Sequence, residues 1–143
     1  MKVKRSIGLD VGTKTIGVAM SDPLGLCAHP VTTVRRQGVR KDIDALLELV
    51  DGKGVVRIVV GLPYELDGSE ERSARLARQI GEAFHEALGV PLTYIDERFT
   101  SVEAERQLIS TGMKRKRRKA VIDQQAAVLI LQSWLDHGED LAE

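Results

Sequence analysis

Ser6-Ile7-Gly8-Leu9-Asp10-Val11-Gly12-Thr13-Lys14-Thr15-Ile16-Gly17-Val18-Ala19 is the stretch that decides the fold. Ile7, Leu9 and Val11 alternate with Gly8, Asp10 and Gly12, which predicts a strand with its bulky residues on one face and Asp10 on the other. Gly12-Thr13-Lys14-Thr15 supplies a turn. Ile16, Val18 and Met20, alternating with Gly17, Ala19 and Ser21, then predict a returning strand. Asp10 therefore stands in an apolar, glycine-studded strand, where an isolated buried carboxylate costs on the order of several kcal/mol. It needs a metal or a hydrogen-bond network. A turn aspartate bonded to the amides of Thr13 or Lys14 meets the same need, and the strand alone leaves the two readings even.

Working outward, Asp22-Pro23-Leu24-Gly25 has the composition of a turn, and Ala28 to Val34 predicts a third strand, placed at an edge by Pro30. From Lys41 the pattern becomes helical, with Ile43, Leu46, Leu47 and Val50 on one stripe before Gly52 and Gly54. Val55 to Val60 is a short β-branched run of the kind buried on both faces, ending at Gly61-Leu62-Pro63. After a loop, Tyr64 to Gly68, the residues Ala77, Ile80, Gly81, Phe84 and Leu88 mark an amphipathic helix that keeps Arg72, Arg75, Arg78 and Glu82 outside its stripe. Leu92 to Asp96 predicts the next strand. Thr100 with Glu103 has the form of a capping box, and a last helix is expected from about Ala120 to His137. This order is mixed α/β, with crossovers long enough to make the later strands parallel.

The 143 residues suit one domain, residues 1–143, with no linker or internal repeat. Lys and Arg number 21 and Asp and Glu 21, so only the distribution of charge carries information. Cations cluster at Arg35, Arg36, Arg40 and Lys41 and run unbroken from Lys114 to Lys119, while Glu139, Asp140 and Glu143 make the tail acidic. Cys27 is the lone cysteine, which excludes a disulfide framework and a cysteine zinc site. With no membrane-length apolar run and no signal-peptide core, a cytoplasmic protein is expected.

Two further acids are not explained by packing. Asp96-Glu97 ends an apolar strand, and ligands in open α/β sheets bind just beyond strand carboxyl ends, which favours a functional Glu97 over a solvated strand end paired to Arg98. Asp123 shares a helix face with Ala120, Ala126, Ala127 and Ile130, and the small alanines would let that face approach the sheet. Its bland alternative is a helix N-cap with the basic run outside the helix. Three carboxylates from three elements, without a His or Cys cluster, suit hard cations such as Mg²⁺ or Mn²⁺. Two such ions would activate a water and stabilise the leaving oxygen of a phosphodiester.

Lys114-Arg115-Lys116-Arg117-Arg118-Lys119 lies at the amino end of a helix, where the macrodipole is already positive. Basic runs are usually solvated faces, but at this place a nucleic-acid backbone would compensate the charge. Arg98, beside the proposed site, has the chemistry to hold a phosphate. Gly12-Thr13-Lys14-Thr15 is not a Walker loop, because the required earlier glycine is misplaced and a strand follows. His29, His85 and His137 are scattered, Trp134 reads as core, and the aromatics are too few for base stacking.

Gly8-Leu9-Asp10-Val11-Gly12-Thr13-Lys14, then Val59-Val60-Gly61-Leu62-Pro63, then Asp96-Glu97-Arg98 with Thr100-Ser101, then Lys119 and Asp123 with Ala126-Ala127 resemble the YqgF (RuvX) family over nearly the whole chain. The resemblance implies a ribonuclease H-like fold, a five-stranded mixed sheet flanked by helices, with the family's acidic triad on Asp10, Glu97 and Asp123. It implies a nuclease that matures the 5′ end of pre-16S ribosomal RNA, or a Holliday junction resolvase. In the related RuvC resolvases the second acid follows the fourth strand, which here ends at Gly61-Leu62-Pro63, so Glu97 would have to reach the same metals from the neighbouring strand. A resolvase cutting two strands symmetrically favours a two-fold homodimer.

The leading expectation is a Mg²⁺- or Mn²⁺-dependent endonuclease, with Asp10 bridging two ions and Glu97 and Asp123 each completing one shell. Thr13, Lys14, Arg98 and the six cations from Lys114 to Lys119 (Arg115, Lys116, Arg117 and Arg118 between them) would contact nucleic acid. A non-catalytic nucleic-acid-binding module is the alternative. An ATP-binding domain of the sugar-kinase and Hsp70 type is more remote, since that fold needs two such domains.

Overall fold

The structure, a computed structural model, describes residues 3–63, 72–97 and 115–138, with side chains from residue 124 onward in the last of these stretches. The elements are β1 (Arg5–Val11), β2 (Thr15–Ser21), β3 (Ala28–Arg35), α1 (Val39–Val50), β4 (Val55–Leu62), α2 (Arg72–Leu88), β5 (Leu92–Asp96) and α3 (Arg115–His137). They form one five-stranded sheet in the order β3-β2-β1-β4-β5. The first three strands are an antiparallel meander with Pro30 on its edge strand, and β4 and β5 add in parallel beside β1. The expected mixed sheet with flanking helices is the observed one.

Period-two alternation divides the core into two layers. Ile7, Leu9, Val11, Ile16, Val18, Val60 and Leu62 face α1 and α2, where Leu46, Ile80 and Phe84 meet them. The other face carries Ala19, Val59 and Ile95 against Ala126, Ala127, Ile130 and Leu131 of α3. This second layer is thin because small residues line it. A Cβ on Gly8 would stand 2.6 Å from Leu131 Cβ and 3.1 Å from the Ala127 carbonyl, so β1 and α3 touch backbone to backbone there.

Two glutamines fix the direction of α3. Gln124 Nε2 donates to Thr33 Oγ1 at 3.2 Å, and Gln132 Oε1 accepts from the Ala28 amide at 2.8 Å. Ascending α3 thus descends β3, and the helix runs antiparallel to both β3 and β1.

Several boundaries move. The last helix starts at Arg115 rather than Ala120, so residues 115–119 of the basic run are helical and Asp123, in the third turn, is not an N-cap. Lys and Arg are good helix formers, and their propensity outweighs a dipole penalty of roughly 0.3–1 kcal/mol. β4 reaches Leu62 because Gly61 and Leu62 pair with Ile95 and Asp96. Its amino end is not buried on both faces, since Val56 is 41 % exposed. α1 begins at Val39, two residues before the expected Lys41, and α2 includes Arg72 as its stripe implies. The loop Tyr64 to Gly68 and the capping box at Thr100 lie outside the described residues. No helix among the described residues is long and apolar enough to cross a membrane.

Candidate active site

Strands β1, β3, β4 and β5 all end at the same edge of the sheet, and α1, α2 and α3 all begin there. Their positive dipole ends converge on that edge.

Asp10 comes one residue before the end of β1, two residues beyond Gly8 and therefore on the α3 face. It is only 8 % exposed. Leu9 pairs with Val60, so the next step along both strands sets Asp10 beside Gly61, one strand spacing or about 4.8 Å away. Gly61 in turn pairs with Ile95, and Glu97, two residues further, returns to the same face. Its Oε1 lies 2.8 Å from where a Cβ on Gly61 would stand, and Ile130 Cδ1 lies 2.4 Å from that point. The missing side chain at Gly61 is the cradle into which the buried Glu97 carboxylate fits. Asp96 is also buried, facing the opposite layer beside Leu62, so neither acid is a solvated strand end.

Asp123 enters through the register of α3. Asp10 pairs with Gly17, and Gly17 pairs with Thr33, the residue bonded to Gln124. Residue 123 is thus next to the helix position that stands over the Asp10 row, one turn before Ala126 and Ala127. Its side chain lies outside the described residues. Among the described residues no three His, Cys, Asp or Glu form a metal-binding group; Asp10 and Glu97 are both buried at this edge.

The turn beside Asp10 is tied down by Arg36, which the sequence marks only as one of a cluster of cations. The Arg36 amide donates to the Lys14 carbonyl at 2.8 Å, and its Nη1 donates to the Gly12 carbonyl at 2.9 Å. Its Nε donates to Asp42 Oδ2 at 2.6 Å, while Asp42 Oδ1 accepts the Gln37 amide at 2.8 Å. Asp42 is 1 % exposed, and this is the ion pair resolved among the described residues. Thr13 and Lys14 are left exposed at the tip of the anchored turn. Arg98 and Lys114 lie outside the described residues, and residues 115–119 are placed by backbone alone. From Gln124 the helix continues nine residues to Arg115, about 14 Å at 1.5 Å per residue, toward and past the carboxyl edge.

The family model for RuvX, described as "Holliday junction resolvase", matches residues 4–137. The chain belongs to the RuvX family. Among its curated relatives, a protein of Moorella thermoacetica named "Putative pre-16S rRNA nuclease" is 48% identical over 92% of this chain and 94% of its own length. One of the same name from Myxococcus xanthus is 47% identical over 92% and 87%. Among solved structures, T. thermophilus RuvC in complex with a Holliday junction substrate superposes with a TM-score of 0.59 over 98% of both chains at 16% identity. That likeness places this RuvX chain in the ribonuclease H-like nuclease fold. Within it, Asp10 and Glu97 are both buried on the α3 face, on either side of Gly61. Gly61, Gln124 with Thr33, and Arg36 with Asp42 are the supporting residues that periodicity missed. The Gly61-Leu62-Pro63 strand end marks where β4 stops but not the role of Gly61.

Proposed function

We propose that this chain is a divalent-metal-dependent endonuclease acting on structured nucleic acid, with pre-16S ribosomal RNA as substrate and its 5′ end as the site of processing. Membership of a nuclease family makes it a hydrolase acting on phosphodiester bonds. The observation that supports the metal site is the buried Glu97 carboxylate lying over the side-chain-free position of Gly61, the residue that the strand register sets beside the buried Asp10. Adjacent buried carboxylates repel, and an all-oxygen donor set fits Mg²⁺ or Mn²⁺. Two such ions, when bound, supply Lewis acidity and lower the pKa of a coordinated water. Asp10 from β1 and Glu97 from the end of β5, with β4 between them, would hold them, and Asp123 from α3.

The remaining groups position the nucleic acid. Thr13 and Lys14 on the anchored turn, Arg98 after Glu97 and the cations from Lys114 to Lys119 would receive phosphates. The name shared by relatives of 41 to 48% identity supports the ribosomal RNA substrate. The family description supports a second reading, a four-way DNA junction, for which the working unit would be a two-fold dimer. A cytoplasmic location belongs to the same proposal.

Side-by-side cleavage of a pre-16S 5′ leader fragment and a mobile four-way junction, with Mn²⁺, Mg²⁺ or EDTA, tests the reading. Metal-dependent cutting of the leader at a defined position is expected. Cutting of the junction alone would move the assignment to the second reading, and no cutting of either would leave a binding module.

A further inference from the structure

We propose that Lys14, Arg35, Arg40 and Lys41 form a second nucleic-acid surface, which docks the phosphate backbone of the substrate arm leaving the site across the β3 edge of the sheet. The inference rests on the nuclease reading for the place of the scissile bond, and on the following geometry for the surface itself.

Thr33 faces α3 through its bond to Gln124, so Arg35, two residues further along β3, lies on the face that carries Asp10. It is exposed, two strand spacings and two residues from Asp10, a separation of about 12 Å between Cα positions. At 3.4 Å per nucleotide of duplex strand, that is about three to four nucleotides from the proposed cut. Lys14 is exposed at the turn that Arg36 anchors, and Arg40 and Lys41 are exposed in the first turn of α1.

The order of charge on α1 supports an external anion. Arg40 and Lys41 occupy its positive end, whereas Glu48 lies in a last turn that holds no basic residue. This is the reverse of the arrangement that stabilises a helix. Asp42, the acid of the first turn, has its two oxygens engaged by Arg36 and the Gln37 amide, so it does not neutralise the neighbouring cations at their exposed ends. Lys14, Arg35, Arg40 and Lys41 form no ion pair among the described residues. Arg36 is itself turned inward, and its contacts with the Gly12 carbonyl and Asp42 join the turn, the end of β3 and the start of α1 into one rigid support.

The test measures binding apart from cleavage. Arg35→Gln, Arg40→Gln and Lys41→Gln are combined in an Asp10→Asn background. Affinity for a fluorescein-labelled stem-loop RNA and for a labelled four-way DNA junction is followed by anisotropy in EDTA from 50 to 300 mM salt. A control variant, Lys4→Gln with Lys53→Gln, removes exposed cations at the opposite end of the sheet. The triple variant is expected to bind at least tenfold more weakly at 150 mM salt, and its plot of log K against log salt should flatten by about 2 to 3, near the 0.7 to 0.9 per lost phosphate contact. The control should leave the slope in place. In the otherwise wild-type chain the triple variant should raise KM and keep kcat. An unchanged slope in a triple variant of unaltered melting temperature overturns the surface and leaves the nuclease reading standing. Binding with the expected slope by a wild-type chain that cuts neither substrate overturns the nuclease reading and leaves the surface.

Discussion

Glu97 Oε1 and Gly61 share one place, the carboxylate oxygen lying 2.8 Å from the point that a Cβ on the glycine would occupy. The carboxylate of Glu97, the residue after β5, is thus delivered over the end of β4, toward the strand that carries Asp10.

Gly61→Ala should therefore damage the site in two separable ways. The new methyl group meets Ile130 Cδ1 at 2.4 Å as well as Glu97, and overpacking of this kind costs about 1–3 kcal/mol. Adding Ile130→Val should restore much of the melting temperature, because that clash is with the far end of a side chain. Cleavage should stay low, because the clash with Glu97 remains. Recovery of both together would show that Gly61 serves packing alone.

Gln124→Ala and Thr33→Val each remove one partner of the bond that sets the register of α3 over the Asp10 row. A neutral hydrogen bond contributes about 0.5–1.5 kcal/mol, so the fold should persist. The expected signature is a fall in kcat with KM little changed, and a double variant no worse than either single one. Additive effects would indicate that the two residues act separately.

The strand of Asp10, the returning strand and the three-stranded meander were legible because a period of two, punctuated by turn residues, is a local signal. Glu97 was legible from its place at the end of a strand. The start of α3 was not, since the unfavourable dipole at Arg115–Lys119 argued for a later start and helix propensity outweighed it. Gly61, Gln124 and Arg36 were illegible for another reason. Each acts on a residue distant in the chain, as Arg36 does on Gly12 and Asp42 through side-chain bonds that no periodicity encodes.

Removing one member of the Arg36–Asp42 pair leaves the other uncompensated in a buried place. Asp42→Ala should cost about 3–5 kcal/mol in urea unfolding. Arg36→Lys keeps the charge but lacks the guanidinium fork that reaches both Asp42 and the Gly12 carbonyl. It should lower affinity for nucleic acid with a smaller loss of stability. A wild-type affinity in Arg36→Lys would free the turn from this dependence.

The β2–β3 turn should give the chain an acid-sensitive element. Asp22 accepts from the amides of Leu24, Leu26 and Cys27, and these bonds, that from Leu26 foremost and against some desolvation, hold its carboxyl below the usual aspartate range. A depressed folded-state pKa contributes stability above the unfolded value and loses it as pH falls through the folded one. Asp22→Asn should accordingly lower the melting temperature at pH 6, and the difference from wild type should shrink as pH falls below about 4. A difference independent of pH would show that the carboxylate charge is not involved.

Single-turnover cleavage of the pre-16S leader fragment with Mn²⁺ decides whether Asp10 and Glu97 form a metal-dependent cleavage site. Wild type is compared with Asp10→Asn and Glu97→Gln, both confirmed folded by circular dichroism. A loss of about 10³-fold in rate for Asp10→Asn, equivalent to several kcal/mol of transition-state stabilisation, and a comparable loss for Glu97→Gln are predicted. Mn²⁺-dependent cleavage at the wild-type rate by either variant would show that its carboxylate holds no catalytic metal.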